Sequence, residues 1–301
     1  MLKLSPDFIA RIIAVHGQKG RTWLESLPEL QKDIIERWSL SEIQPIQDLS
    51  YNYLVFAVTP ENASVVLKLG VPHPELVTEI QSLHAFNGNG TVRILEADPS
   101  LGALLLERIL PGETLLSIED DQETTRIATQ LMKKYRMPAP PGLEFPTAAD
   151  WCQGFKRYLD IYSDTGPISF NLINMASHLS RELLQSSQEQ FLLHGDLHHM
   201  NILSGENKNW VAIDPKGVIG EPAFEVGALL LNPVPDLIHW PDLKKIQKQR
   251  LMILAEELNI AQERLTAWSY VRAVLSAIWS VEDGGDCNYG VEIARVLRDL
   301  L

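Results

Sequence analysis

Leu193-His194-Gly195-Asp196-Leu197-His198-His199-Met200-Asn201, followed after a short apolar run by Ala212-Ile213-Asp214-Pro215-Lys216-Gly217, is the part of this 301-residue chain from which the rest can be read. Phe191 to Leu193, Asn201 to Leu203 and Trp210 to Ile213 are apolar bursts too short for helices, so each reads as a short buried strand. The polar loop between the first two can hold Asp196 and Asn201 around one cavity, and Asp214 stands at the end of the third. Phosphoryl transfer asks little covalent chemistry of a protein; it needs a positioned acceptor oxygen and neutralised phosphate charge. An Asp that accepts the acceptor's proton, an Asn that holds a metal and a second Asp that bridges metal to phosphate meet those needs. Gly217 lets the chain turn away sharply behind Asp214.

The order His194, Asp196, Asn201 follows the kinase catalytic-loop pattern H-x-D-x-x-x-x-N. An H-x-D alone is commonplace, and it is Asp196, Asn201 and Asp214 together, each beside a short apolar strand, that point to a phosphotransferase. His194, His198 and His199 raise a metal-dependent hydrolase as a competing reading, but no fourth ligand stands at recognised spacing. His194 reads instead as a packing and hydrogen-bonding residue that shapes the loop.

Upstream, Ser5-Pro6-Asp7 has the form of a helix start and Gly17 closes that segment; a second amphipathic segment runs to about Trp38. Two β-rich runs follow, Tyr51 to Thr59 and Ser64 to Leu69, joined by the hairpin signal Pro60-Glu61-Asn62. Period-two alternation in the second puts Val66 and Lys68 on one face and Val65, Leu67 and Leu69 on the other. A lysine in such a strand is costly to bury unpaired and should meet an anion. The next segment, Pro74 to Phe86, is helical in period, and Glu79 borders its apolar stripe, where it can pair with Lys68. Glu75 is the competing partner, nearer the helix start where a carboxylate also suits the helix dipole.

Thr91 to Glu96 and Leu101 to Glu107 read as two more strands, and Pro111-Gly112 marks a break. Beyond it the chain is helical in period apart from the short catalytic strands: about Glu119 to Arg136, Ala148 to Ser163, Asn171 to Leu184, Pro222 to Leu231, Asp242 to Leu258, Gln262 to Val281 and Val291 to Leu301. Met137 to Gly142 is proline-rich and suits extended polyproline geometry. The expected class is α+β, with two lobes sharing a cleft. Residues 1–108 form a small β-rich lobe with a helical extension over about 1–40, and residues 109–301 form a larger helical lobe carrying the catalytic loop.

Composition bounds the partners. With 45% hydrophobic and 22% charged residues the chain is an ordinary folded protein, and its net charge of -13 argues against nucleic acid while suiting a cationic substrate. The two cysteines, Cys152 and Cys287, fit no disulfide framework, and reduced thiols in a cytoplasm are the simplest account. The start, Met1 to Asp7, lacks the apolar core of a signal peptide, and no apolar stretch reaches membrane-spanning length. Cytoplasmic location, a small-molecule partner and no membrane are therefore expected; oligomeric state is left open.

The catalytic block, Gly220-Glu221-Pro222-Ala223-Phe224-Glu225, the hinge-like Leu105-Leu106-Glu107-Arg108 with Pro111-Gly112, and the late Ile278-Trp279-Ser280-Val281-Glu282-Asp283-Gly284 together resemble the aminoglycoside phosphotransferase family. Within it they are most similar to the streptomycin 6-kinase and hydroxyurea-resistance branch. The resemblance implies a protein-kinase-like fold that uses ATP and Mg2+ to phosphorylate a hydroxyl of a small molecule, most simply an aminoglycoside. It implies Asp196 as catalytic base, Asn201 and Asp214 as magnesium ligands, and Lys68 with Glu79 as the phosphate-gripping pair on the strand of Val66. Backbone groups of Arg108, Ile109 and Leu110 would meet the adenine, and Glu225 would be a structural acid supporting the loop. The segment Asp48 to Tyr53 lacks the protein-kinase glycines, and Pro215 stands where protein kinases have Phe. For a polycationic acceptor, Glu282, Asp283 and Asp286 are the candidate contacts, with Asp150 and Asp164 behind them and Trp151 and Trp279 as candidate pocket walls. Two other readings are carried: a kinase for an amino alcohol or sugar metabolite, and a non-catalytic nucleotide-binding protein of the same fold.

Overall fold

The computed structural model describes residues 2–47 and 49–301; Met1 and Asp48, each part of a segment discussed above, lie outside the described residues. The chain divides into two compact units, Met1–Leu110 and Pro111–Leu301. No helix among the described residues is long and apolar enough to cross a membrane.

The first unit opens with α1 (Pro6–Arg37), whose cap is Ser5: its Oγ accepts from the Phe8 N–H at 3.2 Å, and Pro6 sets the first turn. The two segments expected from the sequence abut at Gly17 (φ 56°, ψ -129°) without an intervening loop. A Cβ at Gly20 would lie 2.6 Å from the Ile12 carbonyl oxygen, so glycine there lets the second segment run close against the first. Phe8, Ile12, Trp23, Leu27 and Ile34 join Val55, Leu67, Ala103 and Leu105 in one buried cluster. These last belong to an antiparallel sheet of β1 (Ser41–Pro45), β2 (Tyr53–Val58), β3 (Ser64–Leu69), β4 (Ile94–Asp98) and β5 (Ala103–Glu107), in the order β1-β2-β3-β5-β4. Strand β1 escaped the sequence reading because Ser-Glu-Ile-Gln-Pro is mostly exposed and carries no apolar alternation, as an edge strand ending in proline can be. The β2–β3 turn closes with Asn62 N–H donating to the Thr59 carbonyl, Asn62 taking a left-handed conformation that asparagine tolerates (φ 64°). Helix α2 (Pro74–Phe86) follows β3.

In the second unit, seven helices run close to the periods read from the sequence: α3 (Asp121–Lys134), α4 (Ala148–Tyr162), α5 (Phe170–Gln185), α6 (Pro222–Leu230), α7 (Leu243–Leu258), α8 (Gln262–Glu282) and α9 (Asn288–Arg298). Nearly every residue of α8 from Leu265 to Ile278 is buried, and α4, α5, α6, α7 and α9 all pack on it. The loop expected to be polyproline begins with a strand, β6 (Met137–Pro138), because Met137 pairs with Leu192 of β7 (Phe191–Leu193). The pair β8 (Ile202–Ser204) and β9 (Trp210–Ala212) follows, and β10 (Val218–Gly220) returns to β7, giving the order β10-β7-β6. The expected strand start at Asn201 is instead a short 3-10 turn, His199–Asn201, which leads into β8.

Candidate active site

Strand β7 ends by delivering His194, Gly195 and Asp196. Gly195 sits at φ 81°, where a Cβ would lie 2.9 Å from the Val218 side chain, so both conformation and space require glycine. The His194 and Gly195 N–H groups donate to Glu225 Oε2 at 2.8 Å and Oε1 at 2.9 Å. Glu225 stands in the first turn of α6 and is buried. Burial pushes its carboxyl up to about 7, against the opposing pull of those two N–H groups, Arg272 and Tyr135. His194 is fully buried; its Nδ1 accepts from the Asp196 N–H at 3.2 Å and its Nε2 lies 2.9 Å from the Ile213 carbonyl. That pair of partners places the proton on Nε2, and burial holds the ring neutral by lowering it to about 4.

Burial acts to raise the Asp196 carboxyl, but the hydrogen bond and charge of His198, with Lys216 and His194, outweigh it and hold the group below its ordinary value. A carboxyl held below its ordinary value is suited to accept a proton. Asn201 donates its Nδ2 to the Asp196 carbonyl at 2.9 Å and approaches the carboxylate at 3.4 Å, which leaves Oδ1 outside that bond set. Asp214 follows β9 in a left-handed conformation (φ 59°), a costly state that persists when its surroundings fix it. They do: Ile213 N–H donates to Asn201 O at 2.9 Å, and Lys216 and Gly217 N–H donate to His194 O at 2.8 and 3.2 Å. Asp196, Asn201 and Asp214 are thus clipped into one constellation by backbone bonds. An amide oxygen and a carboxylate are hard donors, the kind Mg2+ takes together with water and phosphate oxygens. Among the described residues no group of three or more His, Cys, Asp or Glu is arranged to hold a metal, and both ring nitrogens of His194 are engaged in the loop.

Within the first unit, Lys68 Nζ lies 2.6 Å from Glu79 Oε1, and both side chains are buried. Glu75 sits in the first turn of α2, its N–H capped by His73 Nδ1 at 3.0 Å. Val66 is half-buried beside Lys68 on β3. Arg108 places its guanidinium 3.6 Å from the Phe56 ring centroid, and its N–H donates to Ser64 O; Ile109 and the exposed Leu110 complete the segment.

The acidic candidates are largely engaged locally. Glu282 pairs with Arg157 at 3.2 Å, Asp286 accepts from the Asn288 N–H and side-chain amide at 2.9 Å each, and Asp150 closes a capping box with Thr147 at the start of α4. Asp283 ends α8 with its N–H on Trp279 O, and Asp164 is exposed. Trp151 and Trp279 meet edge to face at 5.4 Å, and the buried guanidinium of Arg272 lies against both. Arg272 was missed by the sequence reading. Its signal is a single cation inside the apolar run of α8, which should have demanded an explanation.

The buried ionisable groups give an acid-lability prediction. His194 and His199, the latter lowered to about 3 by burial, Arg250 and His198, are neutral when folded and take up protons on unfolding below 6.5. Their contribution is present above 6.5 and lost as pH falls. Glu225 acts oppositely: its folded value of about 7 exceeds the ordinary 4.5, so its contribution is present below 4.5 and lost as pH rises through 7. Between 6.5 and 4.5 two histidines outweigh one glutamate, so acidification through this range is a net loss of stability. Melting temperatures should therefore fall steadily from pH 6.5 to 5; a flat series would contradict this.

The sequence pattern of the aminoglycoside/hydroxyurea antibiotic resistance kinases matches residues 37–284. The chain is 29% identical to streptomycin 6-kinase of Streptomyces glaucescens, covering 99% of this chain and 98% of that one, and 32% identical to hydroxyurea phosphotransferase of Kitasatospora aureofaciens, covering 89% and 77%. Among solved structures it is similar to a choline/ethanolamine kinase family protein from Mesorhizobium loti (TM-score 0.66, 12% identity, 90% and 94% covered). It is also similar to a thermostable mutant of an aminoglycoside phosphotransferase in ternary complex with ADP and hygromycin B (TM-score 0.63, 15% identity, 89% and 97% covered). At those identities the structures establish the protein-kinase-like fold. The match over residues 37–284 reaches from the end of α1 past the clipped loop to the end of α8, and on it the chain belongs to the aminoglycoside/hydroxyurea antibiotic resistance kinase family.

Proposed function

We propose that this enzyme transfers the γ-phosphoryl group of ATP to a hydroxyl of a small cationic molecule, an aminoglycoside of the streptomycin type, in the cytoplasm. The observation that carries the reading is the clipped constellation of Asp196, Asn201 and Asp214, together with the buried Lys68–Glu79 pair. Asp196 accepts the proton of the acceptor hydroxyl as its oxygen bonds to the γ-phosphorus and the bond to the ADP oxygen breaks. Lys68, oriented by Glu79, meets phosphate charge, and backbone groups of Arg108 to Leu110 meet the adenine. Mg2+ held by Asn201 Oδ1 and Asp214 would neutralise phosphate oxygens. Residues 1–108 carry the nucleotide-gripping groups in this reading and 109–301 the base and acceptor site. The net charge of -13 favours a cationic acceptor, for which Glu282, Asp283 and Asp286 would have to exchange their present partners.

The test is ADP release with streptomycin, hydroxyurea and choline offered separately, with Mg2+ present. Turnover with streptomycin supports the reading. Turnover confined to choline would make the enzyme a metabolite kinase, and none with any acceptor would overturn the aminoglycoside assignment.

A further inference from the structure

Gly195 immediately precedes the proposed base, and both of its backbone polar groups are held by buried side chains. Its N–H donates to Glu225 Oε1 at 2.9 Å, and its carbonyl accepts from Arg272 Nη2 at 2.9 Å. Those two groups flank the φ and ψ of Gly195, and with φ at 81° the residue has no side chain of its own to fix them. The direction in which Asp196 leaves the loop depends on these dihedrals.

Arg272 reaches this carbonyl from α8 by an unusual route. Its stem runs against Gly227 of α6, where a Cβ would lie 2.5 Å from Arg272 Cγ. Its guanidinium carbon lies 4.7, 5.0 and 5.4 Å from the ring centroids of Trp151, Phe224 and Trp279. These rings stabilise a charge that burial alone would make costly. Nη1 has no hydrogen-bond partner among the described residues, so the rings and the nearby charges of Asp196 and Glu225 are its compensation. Such an arrangement is expensive for a residue whose only task is to fill space, where an apolar side chain of similar volume would serve.

We propose that Arg272 is a positioning residue for the catalytic base: with Glu225 it clamps Gly195 from both sides and thereby aims Asp196. This rests on the reading of Asp196 as the base. A residue that only supports the fold would lower stability and leave turnover per folded molecule unchanged; a clamp lowers turnover and loosens the loop.

The experiment compares the full chain with Arg272→Met and Arg272→Lys, measuring kcat and KM for ATP with streptomycin and Mg2+, and hydrogen exchange of the segment 192–201. With Met, which fills the cage without a donor, kcat should fall on the order of a hundredfold. KM for ATP should stay within about twofold, because ground-state nucleotide binding is untouched. Exchange of the segment should quicken. Lysine restores the charge as a point donor and should recover part of kcat and of the protection. A folded Met variant with wild-type kcat and exchange would overturn the proposal. Should Met fail to fold, lysine decides, since wild-type kcat and exchange there would overturn the need for the guanidinium. If the wild-type chain does not phosphorylate streptomycin, the functional reading fails, while the exchange comparison, which needs no acceptor, still tests the clamp.

Discussion

Replacing Asp196 by alanine is expected to lower kcat by about two to four orders of magnitude, the usual worth of a positioned proton acceptor, while ATP binding is retained. The fold should tolerate the change. What Asp196 gives the loop is mainly its backbone: its N–H donates to His194 Nδ1 and its carbonyl accepts from Asn201 Nδ2. Asn201 Nδ2 lies 3.4 Å from its carboxylate and His198 Nε2 3.7 Å from it, both longer than a close hydrogen bond. Steady-state ADP release and calorimetric ATP titration on the same preparation would separate the two effects. Asp196→Ala with full activity would end the mechanism.

Glu225→Ala should produce the largest loss of stability among single changes at the site, about 3–5 kcal/mol in a denaturant titration. The substitution leaves two buried N–H groups, those of His194 and Gly195, without acceptors and removes the carboxylate that offsets the buried charge of Arg272. Glu225→Gln should cost less, because the amide keeps an oxygen for one of the two N–H groups. Since burial raises the carboxyl to about 7, the glutamate's own contribution is lost as pH rises through 7 while glutamine's is not, so the glutamine variant's deficit should be larger at pH 6 than at pH 8. Equal deficits at both pH values would contradict the shift.

Much of this architecture was legible because its signals are local. Ser5-Pro6 marks a helix start through capping chemistry, the alternation from Val65 to Leu69 marks a strand, and the helices of the second unit carry clear 3.6-residue periods. The block from His194 to Gly217 was readable as a polar loop between short strands because its apolar runs are too short for helices. Features set by distant neighbours were not readable. Strand β6 exists because Met137 finds Leu192, a pairing absent from the local sequence, and β1 is an exposed edge without periodicity. Arg272 takes its meaning from Gly195, 77 positions earlier in the chain, and from three rings on different helices. The acids near the end of α8 looked available from composition, yet Glu282 has in Arg157, 125 positions earlier, a partner that only the fold supplies.

The central claim is that this chain moves a phosphoryl group from ATP to an acceptor hydroxyl with Asp196 receiving the proton. It is tested most directly by mass spectrometry of streptomycin incubated with ATP, Mg2+ and either the wild-type chain or Asp196→Ala. The account predicts a product heavier by one phosphoryl group, formed in step with ADP by the wild-type chain and not by the variant. ADP accumulating without phosphorylated acceptor, or equal product from both proteins, would contradict it.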